Sequence, residues 1–135
     1  MEEKRKPLTS IDNRYVLHHP ISDTHTKHTA FGLAQEYRQK GDNKNAEAFA
    51  IKAIKLGSEN LAPKLLAEIA TETQSALAAF MLAKHYWKSK KVEDAYHWAT
   101  VALKYSGGDG SAIKFVAEIE AHQRAVELHK EVMRY

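Results

Sequence analysis

The stretch AFGLAQEYRQKGD, residues 30–42, is the most informative segment for the fold, because a similar segment, AFMLAKHYWKSKK, recurs at residues 79–91. Both segments contain the pattern A-F-x-L-A-x-x-Y, and each is followed at the same distance by alanines three or four residues apart. That spacing places the alanines on one face of a helix. At a shift of 50 residues, APKLLAEI (62–69) matches AIKFVAEI (112–119). We therefore predict a unit of three helices that the chain uses twice.

Composition bounds the class of protein. The chain has 135 residues, of which 27% are charged and 44% hydrophobic, which predicts one folded domain. It contains no cysteine, so disulfides, thiolate metal ligands and cysteine nucleophiles are excluded, and a cytoplasmic location is expected. The N-terminal sequence MEEKRKPLTS is not followed by an apolar run, and the apolar segment 76–83 is too short to span a bilayer. We expect neither a signal peptide nor membrane association.

Breakers and capping residues divide the chain into elements. Residues 1–26 hold two of the three prolines and no helical apolar period, so a flexible, disordered or extended N-terminal arm is predicted there. The remainder, 27–135, is rich in helix formers and predicts a single all-α domain with units at about 27–71 and 74–135. Asn60, and a capping box of Thr71 and Gln74, mark the predicted starts of the third and fourth helices. The six predicted helices cover about 27–40, 43–56, 60–71, 74–89, 92–105 and 111 onward.

Small residues recur where paired helices would touch. Ala34 precedes Tyr37 in the first helix, and alanines follow at Ala46, Ala50 and Ala53 in the second. This pattern resembles the tetratricopeptide (TPR) family and its Sel1-like relatives. The tryptophan common early in the family's motif is replaced by alanine, and the repeat is 49 residues instead of about 34. The resemblance implies an array of antiparallel helix hairpins that binds other proteins.

In TPR-type hairpins the ligand usually contacts the first helix. The resemblance therefore implies a partner-binding surface at matching positions of both hairpins. Phenylalanine, tryptophan and lysine side chains there favour an acidic, partly apolar peptide or partner helix. Alternatively, the two phenylalanines pack in the core and the cations form a solvated face. The positions are His28, Phe31, Gln35, Arg38, Leu77, Phe80, Lys84, Trp87 and Lys88.

The last predicted helix carries apolar residues every seven positions. It either folds back as a cap on the array or forms the seam of a homodimer. The predicted seam consists of Ile119, His122, Val126, His129 and Met133.

The sequence contains little that indicates catalysis or metal binding. The segment HHPISDTHTKH (18–28) is rich in histidine, yet it lacks the thiolates and fixed spacing of structural zinc sites, so we expect no metal and no cofactor. No glycine-rich phosphate loop, nucleophile elbow or H-E-x-x-H sequence is present, so we do not expect an enzyme. A non-enzymatic adaptor or chaperone-like accessory is predicted.

Two other functions stay open at this point. A nucleic-acid-associated regulator would contact phosphates through Lys4, Arg5, Lys6, Arg14 and the lysines of segment 84–91. A purely structural homodimer would form through the last helix.

Overall fold

The computed structural model describes residues 27–134, where the chain forms six α-helices and no strand. The all-α prediction is therefore confirmed for this part of the chain, whereas the predicted arm, 1–26, lies outside the described residues. The helices are α1 Lys27–Gln39, α2 Asn43–Lys55, α3 Leu61–Thr73, α4 Ala76–Lys88, α5 Val92–Ser106 and α6 Gly110–Met133.

The two hairpins end their first helices in the same way. After α1, Gly41 takes a left-handed backbone conformation with φ +82°, and the Asp42 N–H donates to the Tyr37 carbonyl at 2.9 Å. After α4, Lys90 takes that conformation with φ +65°, and the Lys91 N–H donates to the Tyr86 carbonyl at 2.8 Å. Glycine therefore occupies the left-handed position of this turn in the first hairpin, and lysine occupies it in the second.

Side-chain caps fix the starts of three helices. The carboxylate of Asp42 accepts a hydrogen bond from the Asn45 N–H at 3.2 Å, and that of Asp109 accepts one from the Ser111 N–H at 2.9 Å. At α4 the Ser75 hydroxyl accepts the Ala78 N–H at 3.1 Å.

The predicted capping box is wrong. α3 continues through Thr71, whose hydroxyl donates to the Ala67 carbonyl at 2.9 Å, and Gln74 takes a left-handed conformation that ends this helix. The helix therefore runs two residues past its predicted end, and Ser75 caps α4 instead. Asn60 precedes α3 as expected, but its side chain makes no capping hydrogen bond.

Alanines bring the helices of each hairpin close together. The connections between α1 and α2 and between α4 and α5 are short, and these two pairs have the most extensive helix contacts. Tyr37 and Phe49 stack beside the first alanine contact, with ring centroids 5.8 Å apart. The predicted close packing is present in both hairpins, since the following residues are at most 1% exposed: Ala34, Ala46, Ala50, Ala53, Ala83, Ala95, Ala99 and Ala102.

The third helix of each unit packs against the hairpin that precedes it. The first half of α6 contributes Ala112, Val116 and Ile119 to the core, whereas every residue from 124 to 134 is exposed. Ile119 is fully buried against its own chain, beside Ala83 and other core residues, so it is removed from the predicted dimer seam. The other predicted seam residues, His122, Val126, His129 and Met133, are exposed.

Between residues 27 and 134, no helix combines the length and the apolar composition that crossing a lipid bilayer requires.

Candidate partner-binding groove

An open groove of about 640 Å³ runs between α1 and α3, and we call it the α1–α3 groove. Phe31, Gln35 and Arg38 line it from α1 because they are spaced four and three residues apart and share one helix face. From α3, Leu61 and Leu65 supply apolar surface at the same four-residue spacing. The remaining lining residues are polar or glycine: Gln39, Gly41, Asn43, Lys64, Glu68 and Glu72.

The apolar strip of the α1–α3 groove is accessible from solvent. Leu61 is 61% exposed, although leucine is usually buried. Phe31 is half-buried and packs against the core, and Leu65 is 9% exposed. The three side chains therefore form a strip whose inner edge is anchored in the core and whose outer edge is free to contact a ligand.

Arg38 joins the two walls of this groove. Its Nη1 lies 2.6 Å from Oε1 of Glu68, and its Nη2 lies 2.8 Å from Oε2 of Glu72. Such charge-assisted pairs hold the guanidinium in place. Together with Lys64, two cations face two carboxylates in the groove, so its charges balance. The expected excess of positive charge for an acidic partner is thus not present here.

The matching face of the second hairpin is covered by α6. The Phe80 and Phe115 rings meet edge to face with centroids 5.6 Å apart. Trp87 contacts Phe115 at 6.1 Å and His122 at 5.3 Å between ring centroids. Phe80 and Trp87, predicted as aromatic anchors for a partner, are therefore engaged within the chain.

The duplicated sequence explains this difference between the two units. Trp87 occupies the position of Arg38, and His122 occupies that of Glu72, so an aromatic contact replaces an ion pair between corresponding helices. Phe115 likewise stands where the first unit has Leu65. In the second unit, aromatic side chains therefore contact one another at positions that line the open groove in the first unit, and Phe80 also borders a smaller cleft of about 320 Å³.

The other predicted partner-binding residues lie apart from the α1–α3 groove. His28 is exposed and does not line it. Leu77, 52% exposed, borders a cleft of about 510 Å³ between α2 and α4. The Lys84 Nζ lies 5.3 Å from the ring centre of Phe80, at the side where α6 packs. The α1–α3 groove contains no residue of α4, and the two clefts that Leu77 borders contain none of α1, so the predicted residues are divided among separate clefts.

Lys88 lies instead in a basic cleft, which we define by Lys55, His85, Lys88 and Lys91 and which has a volume of about 580 Å³. Burial lowers the pKa of His85, and the nearby charges of Lys91 and Lys88 lower it further, while Glu59 raises it. Sequence reasoning had assigned Lys88 and Lys91 to a cationic cluster but missed Lys55, which reaches the cleft from the end of α2.

Sequence reasoning also missed the α3 wall of the α1–α3 groove. Leu61, Leu65, Glu68 and Glu72 share one helix face, and this periodicity was visible in the sequence. The family resemblance places the ligand on the first helix of each hairpin and therefore gives α3 no role in binding.

Within residues 28–134, no three histidine or acidic side chains are placed to share a metal ion, and all but the last residue of the histidine-rich segment 18–28 lie outside that range.

Comparison with protein-family models, with curated proteins and with solved structures found no match.

Proposed function

We propose that this chain is a TPR/Sel1-like adaptor that binds a segment of another protein in the α1–α3 groove and catalyses no reaction. The observation that carries this proposal is the accessible apolar strip formed by Phe31, Leu61 and Leu65 between two helix walls. An apolar patch with a polar rim is typical of sites that bind peptides or helices. The buried alanines and the Tyr37–Phe49 stack of the first hairpin support the interpretation of this chain as TPR-like.

The lining of the groove indicates the chemistry of the partner. One or two large apolar side chains of the partner would occupy the strip, since burial of apolar surface there contributes most to the free energy of binding. Gln35 and Gln39 can donate and accept hydrogen bonds beside it. Because Arg38 and Lys64 are balanced by Glu68 and Glu72, a partner segment of mixed charge fits better than a strongly acidic one. We place this adaptor in the cytoplasm, which suits a chain without cysteine.

Affinity capture with matched variants tests the groove. Leu61→Glu puts a charge into the exposed edge of the strip without disturbing the core, because Leu61 is 61% exposed. Ile113→Glu is the control, since Ile113 is a half-exposed aliphatic residue on α6, outside the groove. Capture would be carried out from native lysate at about 150 mM salt, where exposed charges are screened beyond about 8 Å.

We expect one defined protein to be retained by the wild type and by Ile113→Glu and to be lost with Leu61→Glu. Circular dichroism would establish that both variants fold. Equal retention by Leu61→Glu and the wild type would refute the groove as the binding site.

The basic cleft supports a second candidate function, binding of nucleic acid. Lys55, Lys88 and Lys91 outnumber Glu59 there, and cations grouped in this way can contact successive phosphates. Fluorescence anisotropy with single-stranded RNA would test it, using Lys88→Glu/Lys91→Glu as the variant. Phosphate binding predicts a steep loss of affinity between about 50 and 200 mM salt and a further loss with the variant. Affinity that is equal for the variant would eliminate this candidate.

A further inference from the structure

The second half of α6 is a helix with nothing packed on it in the structure. Before it, the Tyr96 hydroxyl donates a hydrogen bond to Glu120 at 3.0 Å, and the rings of His122 and Trp87 are in contact. Beyond them, residues 124–134 are all exposed, including Leu128 at 67% and Val132 at 63%.

The uncovered half of α6 carries apolar residues on two faces. The core face continues from Ile119 through Gln123, Val126, Lys130 and Met133, so polar and apolar residues alternate along it. The other exposed apolar residues form an uninterrupted apolar stripe with spacings of four, three and four residues, and we call it the seam stripe: Ala121, Ala125, Leu128 and Val132. A second apolar face on the uncovered half of a helix indicates a second packing partner.

We propose that the seam stripe pairs with the seam stripe of a second copy in antiparallel orientation. The four-three-four spacing is that of the a and d positions of a coiled coil. In a symmetric antiparallel pair centred between residues 126 and 127, Ala125 faces Leu128 of the second copy, and Ala121 faces Val132 of the second copy. Each layer then combines a small side chain with a large one, which permits interdigitation.

Charges at the edge of the seam stripe favour the same alignment. Arg124 and Glu131 are seven residues apart and flank the stripe on one side. The two-fold axis places Arg124 of each copy on the same edge as Glu131 of the other, offset by about 3 Å along the helix axis, which brings two equivalent ion pairs within reach. Within the described chain neither residue is in an ion pair. A parallel alignment does not bring these opposite charges together, so the charge pattern selects the antiparallel one.

This arrangement replaces most of the seam predicted from the sequence. His122 and His129 flank the stripe on its other edge, opposite each other across the pair, and so remain at the interface. Val126 and Met133 lie nearer the continuation of the core face than the seam stripe. The paired segment, 121–132, is about 18 Å long, so the buried area falls below the roughly 1,200 Å² of stable complexes. We therefore expect a dissociation constant in the micromolar range or weaker.

Disulfide trapping tests the orientation, since the chain contains no cysteine of its own. Ala121→Cys and Val132→Cys would be prepared separately and oxidised alone and mixed. The antiparallel pair predicts a disulfide between the two variants in the mixture and none between identical copies of either. Cross-linking of Ala121→Cys with itself, or no covalent dimer in any sample, would overturn the proposal.

Sedimentation equilibrium tests the interface in solution. Over about 5 to 500 µM, where such weak interfaces dissociate, the wild type is expected to rise from monomer towards dimer mass. Leu128→Glu abolishes the rise, and Arg124→Glu weakens dimerisation about tenfold, which Glu131→Arg in the same chain restores. Ile113→Glu, on the same helix but off the stripe, behaves as the wild type. A monomer at every concentration, or a dimer that Leu128→Glu leaves intact, contradicts the proposal.

Discussion

At the scale of single residues, Arg38 links two helices that are separated in sequence. Its two ion pairs connect α1 to α3 and hold the walls of the α1–α3 groove at a fixed separation. Exposed ion pairs contribute up to about 1 kcal/mol each, and Glu68 and Glu72 are both more than half exposed. The arginine therefore contributes modestly to the stability of the fold. Its main role in this interpretation is to connect the two walls of the α1–α3 groove.

Replacing Arg38 with glutamine should lower the free energy of unfolding by about 1 kcal/mol, since two weak pairs are lost. Lys40→Gln is the control, because Lys40 directly follows α1 and its Nζ lies 3.9 Å from Glu36, four residues earlier, so this pair joins no two helices. Its effect should stay within about 0.5 kcal/mol. Urea unfolding at low and high salt measures both, and the effect of Arg38→Gln should shrink as salt rises. Equal effects of the two substitutions would contradict the role assigned to Arg38.

His85 predicts a dependence of stability on pH. Burial, Lys91 and Lys88 lower its pKa in the folded chain, with Glu59 acting in the opposite direction. The unfolded chain therefore binds the proton more readily than the folded chain does. The contribution of neutral His85 is complete above its unfolded pKa of about 6.5 and is lost as the pH falls below it.

His85→Gln removes this titration and should flatten the loss of stability between neutral pH and about pH 5, below the unfolded histidine pKa. Thermal melting of wild type and variant across that range is the measurement. His97→Gln is the control, because His97 is exposed on α5. If the melting temperatures of wild type and His85→Gln fall in parallel, the pKa of His85 is not lowered by folding.

At the scale of helices and turns, Lys90 is the position where the second hairpin departs from the first. Left-handed backbone costs a non-glycine residue about 1 to 2 kcal/mol, and glycine avoids this at an entropic cost of about 0.5 to 1 kcal/mol. Lys90→Gly should therefore stabilise the chain by about 0.5 to 1 kcal/mol.

Replacing the glycine in the matching turn of the first hairpin should change the stability in the opposite direction. Gly41→Ala should destabilise by about 1 kcal/mol through backbone strain alone, because a Cβ added at Gly41 meets no atom within 4 Å. Denaturant unfolding of the two variants reports the opposite signs. A destabilised Lys90→Gly would show that the lysine side chain makes a contribution larger than the strain.

Most helix boundaries were predictable because glycine and capping residues act locally. Gly41 and Gly57 end helices in left-handed conformations, and Asp42 begins one, as the sequence indicated. The boundary between α3 and α4 was missed because Thr71 and Ser75 both compete as caps. Which of them caps depends on whether Ile69 and Ala70 stay helical, and their full burial in the core decides that.

At the scale of the whole molecule, the packing of α6 determines which predicted surface remains open. The duplicated motif predicted equivalent binding faces on α1 and α4, but Phe115 and His122 cover Phe80 and Trp87 in the second unit. The sequence contained these residues without indicating that α6 turns its first half towards α4. Of the predicted partner-binding residues, Phe31, Gln35 and Arg38 line the α1–α3 groove, and residues of α3 form its other wall.

Photo-crosslinking in living cells tests the proposed binding of a partner in the α1–α3 groove. A benzoylphenylalanine at Leu61 is compared with one at Leu77 and one at Ile113, which are similarly exposed at 52% and 50% but lie outside the α1–α3 groove. We expect a covalent adduct with one defined protein from position 61 and none of that protein from positions 77 and 113. An adduct that forms at 77 or 113 but not at 61 would contradict it.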